Sequence, residues 1–163
     1  MADKAGIFDR LKQDHDKHRK LLEQMAQTEG ASDERKTLLE QFTVEVKSHA
    51  AAEEQAVYSA MLAKPETTDE TRHSVAEHHE IEEMLNDLAA TDMSSSAWLA
   101  KFKDLRHRYE HHIDEEEEDH FPDFEKHLTD SDIAHMRDVF QRRKDAECDE
   151  REVTPEKMAD AKE

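Results

Sequence analysis

The chain has 163 residues, and its 42 Asp and Glu against 23 Lys and Arg give a formal net charge of −19 at pH 7. The length fits one domain, and two glycines with three prolines are too few for a β-sandwich, a β-barrel or a Gly-rich phosphate-binding fold. A chain this acidic is not expected to bind nucleic acid or an anionic membrane surface, because it has too few cations to neutralise their phosphates.

The N-terminal sequence and the cysteine content favour a cytoplasmic location. The first residues carry charges throughout and contain no apolar core, so no signal peptide is predicted. No apolar stretch approaches the ~20 residues that span a bilayer. The single cysteine, Cys148, can form neither an internal disulfide nor a thiolate metal site.

Four segments carry residues at spacings of three and four, which is the pattern of one buried face on each of four α-helices. The first face comprises Phe8, Leu11, His15, His18, Leu22 and Met25. The second comprises Leu39, Phe42, Val46, His49, Glu53, Ala56 and Ala60. The third comprises Val75, His78, Ile81 with Glu82, Leu85 and Leu88. The fourth comprises Trp98, Phe102, Leu105, Tyr109, His112 and Glu116.

Turn and capping residues separate these segments. They lie at Gly30–Asp33, Pro65–Asp69 and Asp92–Ser96. The Phe121-Pro122 pair is predicted to end the fourth helix, because proline disrupts a helix interior.

A weaker fifth helix is predicted after Ser131, and beyond Arg143 the chain is almost all charge. The connections between the four main segments are short, so we predict an all-α, up-down-up-down antiparallel four-helix bundle with a short C-terminal fifth helix. The bundle and fifth helix would occupy residues 1–143, and residues 144–163 would form a charged tail that is frayed or disordered.

The buried faces contain ionisable residues at positions where leucine is expected. They are His15, His49, Glu53, His78, Glu82, His112 and Glu116. Buried ionisable groups cost several kcal/mol unless they are paired or bind a metal. A lone core histidine is more often a hydrogen-bonded packing residue than a ligand. A set of this size spread over all four helices instead favours a metal site, and the His–Glu pairs at i, i+4 present both side chains on one face.

The ionisable residues also follow an internal repeat. His15 and His78 are 63 positions apart, and so are His49 and His112. The surroundings match as well, since HAAAEE from His49 aligns with HIDEEE from His112. We therefore predict a duplicated helical hairpin with ligands around a pseudo-twofold axis, which is a natural arrangement for two metal ions.

Some histidines are adjacent in the sequence, so we have to decide which one of each pair faces the interior of the bundle. His78 is preferred to His79, and His112 to His111, because adjacent helical residues point ~100° apart and only the preferred ones share a face with apolar neighbours.

The repeat pairs His18 with Ile81, so His18 is predicted behind the ligands. Tyr109 would either hydrogen-bond a bound oxygen species or simply pack. Tyr58 is predicted to pack near a helix end. The remaining histidines are predicted at the surface or bundle ends: His73, His107, His120, His127 and His135. In the acidic run at positions 114–119, only Glu116 is predicted to point inward.

These segments resemble the hemerythrin-like family, also called the HHE cation-binding domain, over about Ile7 to Phe140. The resemblance rests on four segments: QDHDKH near His15, SHAAAEEQAVY at His49, AEHHEIEEML at His78 and EHHIDEEEEDHFP at His112. The last is the most specific, because His-x-x-x-Glu-Glu followed by Phe-Pro is close to the family's signature.

The resemblance implies a four-helix bundle around a non-haem di-iron centre with a bridging oxo or hydroxo group. Glu53 and Glu116 would bridge the ions. The terminal ligands would be His15, His49, His78 and His112, with Glu82 where the oxygen carriers have a histidine. The fourth-helix carboxylate is at i+4 from its histidine, whereas the carriers have it at i+5. Both departures argue against reversible oxygen carriage.

The resemblance implies two iron ions, with manganese or zinc less favoured. The ligand types by themselves suit a first-row transition metal such as iron or manganese better than Mg²⁺ or Ca²⁺, and zinc usually prefers four-coordinate sites. The hypothesis is an iron pair that reacts with or senses oxygen or peroxide, as in a catalase or peroxidase. Its partners would be a small diatomic or peroxide ligand and an unidentified electron donor. Two alternatives remain open: a non-enzymatic module that binds, stores or senses iron, oxygen or nitric oxide, and a metal-free bundle.

Overall fold

The computed structural model describes residues 6–151 and is all-helical over that range. The long helices are α1 (Ile7–Ala26), α2 (Asp33–Glu53), α4 (Thr68–Ala89), α5 (Ser96–Glu115) and α7 (Asp130–Arg151). Two π-helical turns, π1 (Glu54–Tyr58) and π2 (Glu116–His120), continue α2 and α5 into the short helices α3 (Ser59–Leu62) and α6 (Phe121–Glu125). None of the helices in this range has the length and apolarity needed to cross a bilayer.

The predicted antiparallel four-helix bundle with an additional C-terminal helix is confirmed. Helix α1 packs against α2 and α5, and α4 packs against α5 and α2. The α1–α2 turn includes Gly30, whose φ of +57° is a left-handed conformation that glycine adopts without steric cost. Ser32 and Ser95 cap the next helices, because each side-chain oxygen accepts a backbone N–H three residues on.

The prediction that Pro122 ends the fourth helix is wrong. The helix passes through π2 and continues as α6 to Glu125. Pro122 lies at the start of α6, directly after π2, where the change from i→i+5 to i→i+4 hydrogen bonding accommodates a residue without an N–H.

The fifth helix is long, so the predicted start of the tail after Arg143 is also wrong. Helix α7 reaches Arg151 and packs along α1 and α2. Its apolar face includes Phe140, which is fully buried, and its Lys144 is also buried because the ammonium group donates to Asp14 and Glu45. This ion pairing holds a charged segment in the helix that composition alone predicts to fray. Residues 152–163 of the predicted tail lie outside the described residues.

Two apolar clusters fill the bundle, one toward each end. The turn-side cluster lies near the α1–α2 and α4–α5 turns and includes Leu22, Phe42, Leu88, Trp98 and Phe102. The α7-side cluster lies at the opposite end and includes Phe8, Tyr58, Phe121, Phe124 and Phe140. Between them the helices carry a layer of buried polar residues, and this layer is the candidate site.

Candidate metal centre

Six of the seven predicted ligands lie together in the buried polar layer. They are His15, His49, Glu53, His78, His112 and Glu116. The side chain of His78 is 8 % exposed, and those of the other five are between 0 and 3 % exposed. The four main helices all contribute, since α1, α2, α4 and α5 each provide one of these four histidines.

The two glutamates lie at the centre of this layer, and each faces two imidazoles. Glu53 Oε1 is 3.3 Å from His78 Nε2 and 3.6 Å from His49 Nε2. Burial opposes ionisation of Glu53, but Glu116 and the two histidines lower its pKa well below the usual value. Glu53 is therefore a carboxylate that faces nitrogen atoms from two helices.

Glu116 has a matching arrangement with the other two histidines. Its Oε1 atom is 3.0 Å from His112 Nε2 and 3.7 Å from His15 Nε2. Its Oε2 atom accepts a 2.8 Å hydrogen bond from the Tyr58 hydroxyl, which also lies 3.5 Å from His78 Nε2. The tyrosine predicted as a packing residue is thus part of the site.

The inward-pointing atoms fit a bound cation. The Nε2 atoms of His15 and His49, both carboxylate oxygens of Glu53 and Glu116 Oε1 are buried without a hydrogen-bond partner. Buried polar atoms are normally satisfied, so a convergent group of this kind needs an explanation. Nitrogen and oxygen donors at close range would be satisfied by first-row transition-metal ions, which accept mixed imidazole and carboxylate ligands.

A carboxylate lies behind every one of the four histidines. The Nδ1 atoms are hydrogen-bonded as follows: His15 to Glu117 at 2.7 Å, His49 to Asp14 at 2.8 Å, His78 to Glu54 at 3.0 Å and His112 to Glu77 at 2.8 Å. A carboxylate acceptor places the proton on Nδ1 and leaves the Nε2 lone pair facing inward. The four outer carboxylates therefore orient the rings as ligands.

The outer carboxylates obey the same internal repeat as the histidines. Positions 14 and 77 are equivalent, as are 54 and 117, at the 63-residue offset that relates His15 to His78. None of these carboxylates is among the predicted site residues, although the DH and EH pairs and the second Glu of each His-x-x-x-Glu-Glu segment carry the signal.

The π-helical turns explain why Tyr58 reaches the site. It follows Glu53 by five residues, and on an α-helix such a residue would point to a different face. In a π-helix the hydrogen bonds run from i to i+5, so the fifth residue returns to nearly the same face. Phe121 has the equivalent position after Glu116, but it has no hydroxyl group to donate.

Protons and metal ions compete for two of the imidazoles. Burial would lower the pKa of His49, but hydrogen bonds to Asp14 and Glu53 raise it to about 9. Burial likewise opposes charge on His112, whereas Glu116 and Glu77 raise its pKa to about 10. The centre is a strongly negative environment that favours any bound cation, and metal binding there releases protons.

The structure does not bring Glu82 into the layer. Its side chain is exposed on α4 and lies beside His78 in the wall of a surface cavity. The reason is helical geometry: His78 is at the edge of the inner face, and a residue four positions later is rotated ~40° further around the helix. The rotation that keeps Ile81 inside therefore carries Glu82 out to solvent.

His18 and Tyr109 lie behind the ligands as a hydrogen-bonded pair. The His18 Nδ1 atom is 2.6 Å from the Tyr109 hydroxyl, and its Nε2 atom faces Glu45 Oε2 at 3.5 Å. Burial lowers the pKa of His18 to about 3, so its ring is neutral. With the Nε2 proton toward the carboxylate, the tyrosine donates to Nδ1.

Two predictions about surface residues need correction. His120 is buried, with its Nδ1 atom 3.0 Å from the Ser74 hydroxyl. In the acidic run, Glu115 and Glu117 are partly buried and in contact with histidines. Glu117 and His120 lie in π2, and a π-helical turn brings residues around to faces that an α-helical projection leaves in solvent.

A cavity of about 560 Å³ connects the layer with the surface between α2 and α4. Its inner wall includes His49, His78, His112 and Tyr109. Its outer part includes the cationic side chains Lys47, Arg143 and Arg151. A small polar molecule in this cavity therefore lies beside the imidazole side chains, whereas His49 Nε2 itself is buried.

Three groups of potential metal ligands stand out in residues 6–151. Two lie in or beside the central layer: Asp14 with His18 and His49, and His78 with His112 and Glu116. The third is an outer group, His73 with Glu77 and Glu115. The chain thus contains His, Asp and Glu clusters able to hold metal ions.

Comparisons with known proteins agree with this site. The family model "Hemerythrin HHE cation binding domain" matches residues 6–124. An uncharacterized hemerythrin-like protein of Schizosaccharomyces pombe is 32% identical over 109 residues, which are 64% of this chain and 52% of the relative. The matched region thus spans about half the length of that curated relative. A solved hemerythrin HHE cation binding domain-containing protein of Mycobacterium kansasii has the same fold, with a TM-score of 0.79, 22% identity and coverage of 89% of this chain and 88% of that chain.

Proposed function

Because the chain belongs to the hemerythrin HHE cation binding domain family, we propose that its central layer holds two iron ions that react with peroxide or oxygen. The ligands would be the six clustered residues, with Glu53 and Glu116 between the ions and His15, His49, His78 and His112 around them. The observation that carries this proposal is the set of inward Nε2 and carboxylate atoms that are buried without hydrogen-bond partners.

The surroundings of the histidines favour the oxidised form of iron. A carboxylate that accepts from Nδ1 makes the imidazole a more basic ligand, and all four rings have such a carboxylate. Greater ligand basicity stabilises the ferric state relative to the ferrous state. This effect supports turnover of an oxidant over reversible oxygen carriage.

The chain's own residues would admit the substrate and keep the site ordered. The cavity between α2 and α4 gives a route to His49, His78 and His112. The Tyr58 hydroxyl fixes the orientation of the Glu116 carboxylate through its hydrogen bond to Oε2. Tyr109 lines the cavity, and burial raises its pKa well above 10, so it keeps its proton near neutral pH.

Bound iron would supply the one-electron chemistry that these side chains lack. In a catalase-like reaction, two molecules of hydrogen peroxide give one molecule of oxygen and two of water, so no outside reductant is consumed. A peroxidase-like reaction would instead draw electrons from a donor protein or small molecule.

Metal analysis together with the visible absorption spectrum tests the iron pair on protein purified without added metal. We expect close to two iron ions per chain and absorption in the near ultraviolet and visible. A colourless protein that contains zinc would overturn the proposal. Glu53→Gln and Glu116→Gln should each lose iron, while the exposed His107→Ala control should retain it.

Oxygen evolution after addition of peroxide tests the reaction. We expect many molecules of oxygen per iron pair, and the same measurement on iron-free protein should give none. Stoichiometric bleaching without turnover would instead support a non-enzymatic module that binds, stores or senses iron, oxygen or nitric oxide.

A further inference from the structure

A second cluster of histidines and glutamates lies outside the central layer, on the α4–α5 hairpin. It consists of His73 and Glu77 from α4, Glu115 from the last turn of α5 and His120 from π2, and we refer to it as the outer cluster. Potential ligand atoms of His73, Glu77 and Glu115 all lie within 4.8 Å of one another. Only Glu77 also belongs to the surroundings of the central site.

The distances in the outer cluster fit one tetrahedral ion. His73 Nε2 is 3.0 Å from Glu115 Oε1 and 3.5 Å from Glu77 Oε2, and His120 Nε2 is 3.6 Å from Glu115 Oε1. Tetrahedral ligands at 2.0–2.2 Å from an ion lie about 3.3–3.6 Å apart. Small side-chain rotations would therefore bring His73, Glu77 and Glu115 onto one ion. His120 Nε2, which faces Glu115 Oε1, is the candidate for the fourth position.

The hydrogen bonding of individual atoms in the outer cluster also favours a bound ion. Glu115 Oε1 is buried without a hydrogen-bond partner, although two imidazole nitrogens lie close to it. The other nitrogen of His120 is already engaged by the Ser74 hydroxyl, which fixes the ring with Nε2 toward Glu115. Two imidazole nitrogens from different helices therefore converge on one buried carboxylate oxygen.

The internal repeat supplies an independent argument, because the other half of the bundle has protein cations at the equivalent place. Asp14 is equivalent to Glu77, and its outer oxygen Oδ1 accepts from both Arg10 and Lys144. Arg10 has its equivalent in His73, at the 63-residue offset. A permanent guanidinium in one half is thus replaced by an imidazole in the other.

The residues around Glu77 also differ from those around Asp14, because potential metal ligands replace apolar side chains. Ala52 and Val57 in the first half are replaced by Glu115 and His120 in the second. Helix α7, which delivers Lys144 to Asp14, packs on α1 and α2. Among residues 6–151, the groups within 4 Å of the Glu77 and Glu115 carboxylates that can carry positive charge are all histidines.

We infer that the outer cluster is a second binding site for a divalent first-row transition-metal ion such as Zn²⁺, Co²⁺ or Fe²⁺. The ion supplies the positive charge that Arg10 and Lys144 supply in the other half. Mixed imidazole and carboxylate donors select such ions over Mg²⁺ and Ca²⁺. His73 is 54 % exposed, so the ion can enter directly from solvent.

Glu77 connects this site to the central layer. Its Oε1 atom accepts from His112 Nδ1 at 2.8 Å, while its Oε2 atom faces His73. An ion in the outer cluster draws electron density from Glu77 and weakens the hydrogen bond that supports His112. The outer ion thus makes His112 a less basic ligand.

Titration of the iron-loaded protein with Co²⁺ tests the outer site, with iron and cobalt counted in the same sample. We expect one Co²⁺ per chain, with visible d–d absorption, while the iron content stays constant. Even the outer partners of metal ligands are worth about 10–100-fold in affinity, so His73→Ala and Glu115→Gln should weaken this Co²⁺ binding at least tenfold. His107→Ala, an exposed change on α5, should bind as the unchanged chain does.

Two results would overturn the inference: equal Co²⁺ binding by the unchanged chain and both variants, or cobalt uptake that only replaces iron. The test does not depend on the proposed function. If the protein contains no iron, Co²⁺ also fills the central layer, but the unchanged chain still binds one ion more than His73→Ala.

Discussion

The Tyr58 hydroxyl donates a 2.8 Å hydrogen bond to Glu116 Oε2. Of the two central glutamates, Glu116 therefore has a hydrogen-bond donor from the protein and Glu53 does not. Both oxygens of Glu53 lack a hydrogen-bond partner, and the residue equivalent to Tyr58 in the second half of the repeat is Phe121, which has no hydroxyl group to donate. The pseudo-twofold symmetry of the ligands is therefore broken at the carboxylates. Two ions bound by these glutamates would therefore have chemically distinct surroundings.

Tyr58→Phe should preserve the fold and increase the rate at which iron is released. The ring stays, as at the equivalent Phe121, but Glu116 loses its donor. We expect iron to pass to a ferrous chelator about tenfold faster after reduction, which is the usual scale for a partner behind a ligand. Tyr109→Phe is the matched control, because that hydroxyl bonds His18. Equal release from Tyr58→Phe and the unchanged chain would contradict the role assigned to this hydroxyl.

A comparison of Asp14→Asn with Glu77→Gln should separate an effect on metal binding from an effect on the stability of the metal-free protein. Both remove a carboxylate behind a histidine, so both should weaken iron binding about 10–100-fold. Only Asp14 also pairs with buried Lys144. Loss of the bond from that ammonium group should lower the free energy of unfolding of the metal-free protein by about 1.5–3 kcal/mol more in Asp14→Asn than in Glu77→Gln. Urea unfolding of the two variants without metal gives the comparison, and equal losses would refute it.

Glu82→Gln should leave the iron content unchanged. The side chain is exposed and lies in the cavity wall rather than among the buried ligands. Glu53→Gln is the matched change inside the layer, and it should reduce iron by at least one ion per chain. Iron counted by elemental analysis distinguishes the two. Iron loss from Glu82→Gln equal to that from Glu53→Gln would return Glu82 to the ligand set.

Glu70→Gln should stabilise the protein at pH 8 and have little effect at pH 5. Partial burial and the neighbouring Asp123 carboxyl raise the pKa of Glu70 from 4.5 to about 7. Between these values the folded state binds more protons than the unfolded state, so stability falls as pH rises from about 4.5 to 7. The side chain is largely solvated, so we expect a gain below about 1 kcal/mol. Thermal unfolding at the two pH values measures it, and an equal gain at both would exclude this cause.

The helical periodicity and the 63-residue repeat were enough to predict the bundle and to select His78 over His79. The error at Glu82 arose because i, i+4 spacing was taken to mean a shared face, although a ligand at the edge of that face leaves its partner in solvent. Tyr58 and His120 were misplaced because the two π-helical turns have no strong sequence signal.

Helix α7 shows a different reason for failure. Its last turns are almost entirely charged, and their stability depends on Lys144 reaching Asp14 and Glu45, which lie about 100 or more residues earlier in the chain. Local composition contains no record of such long-range partners. For this reason the tail was predicted to begin too early.

The polar layer separates two apolar clusters that together form the interior of the bundle. Without ions, the boundary between the two clusters holds two buried glutamates and four imidazoles. With ions, the same groups link all four helices at mid-height. Bound cations would therefore determine whether the two ends of the bundle unfold independently or as one cooperative unit. Amide hydrogen exchange at the centres of the helices should slow most when metal binds.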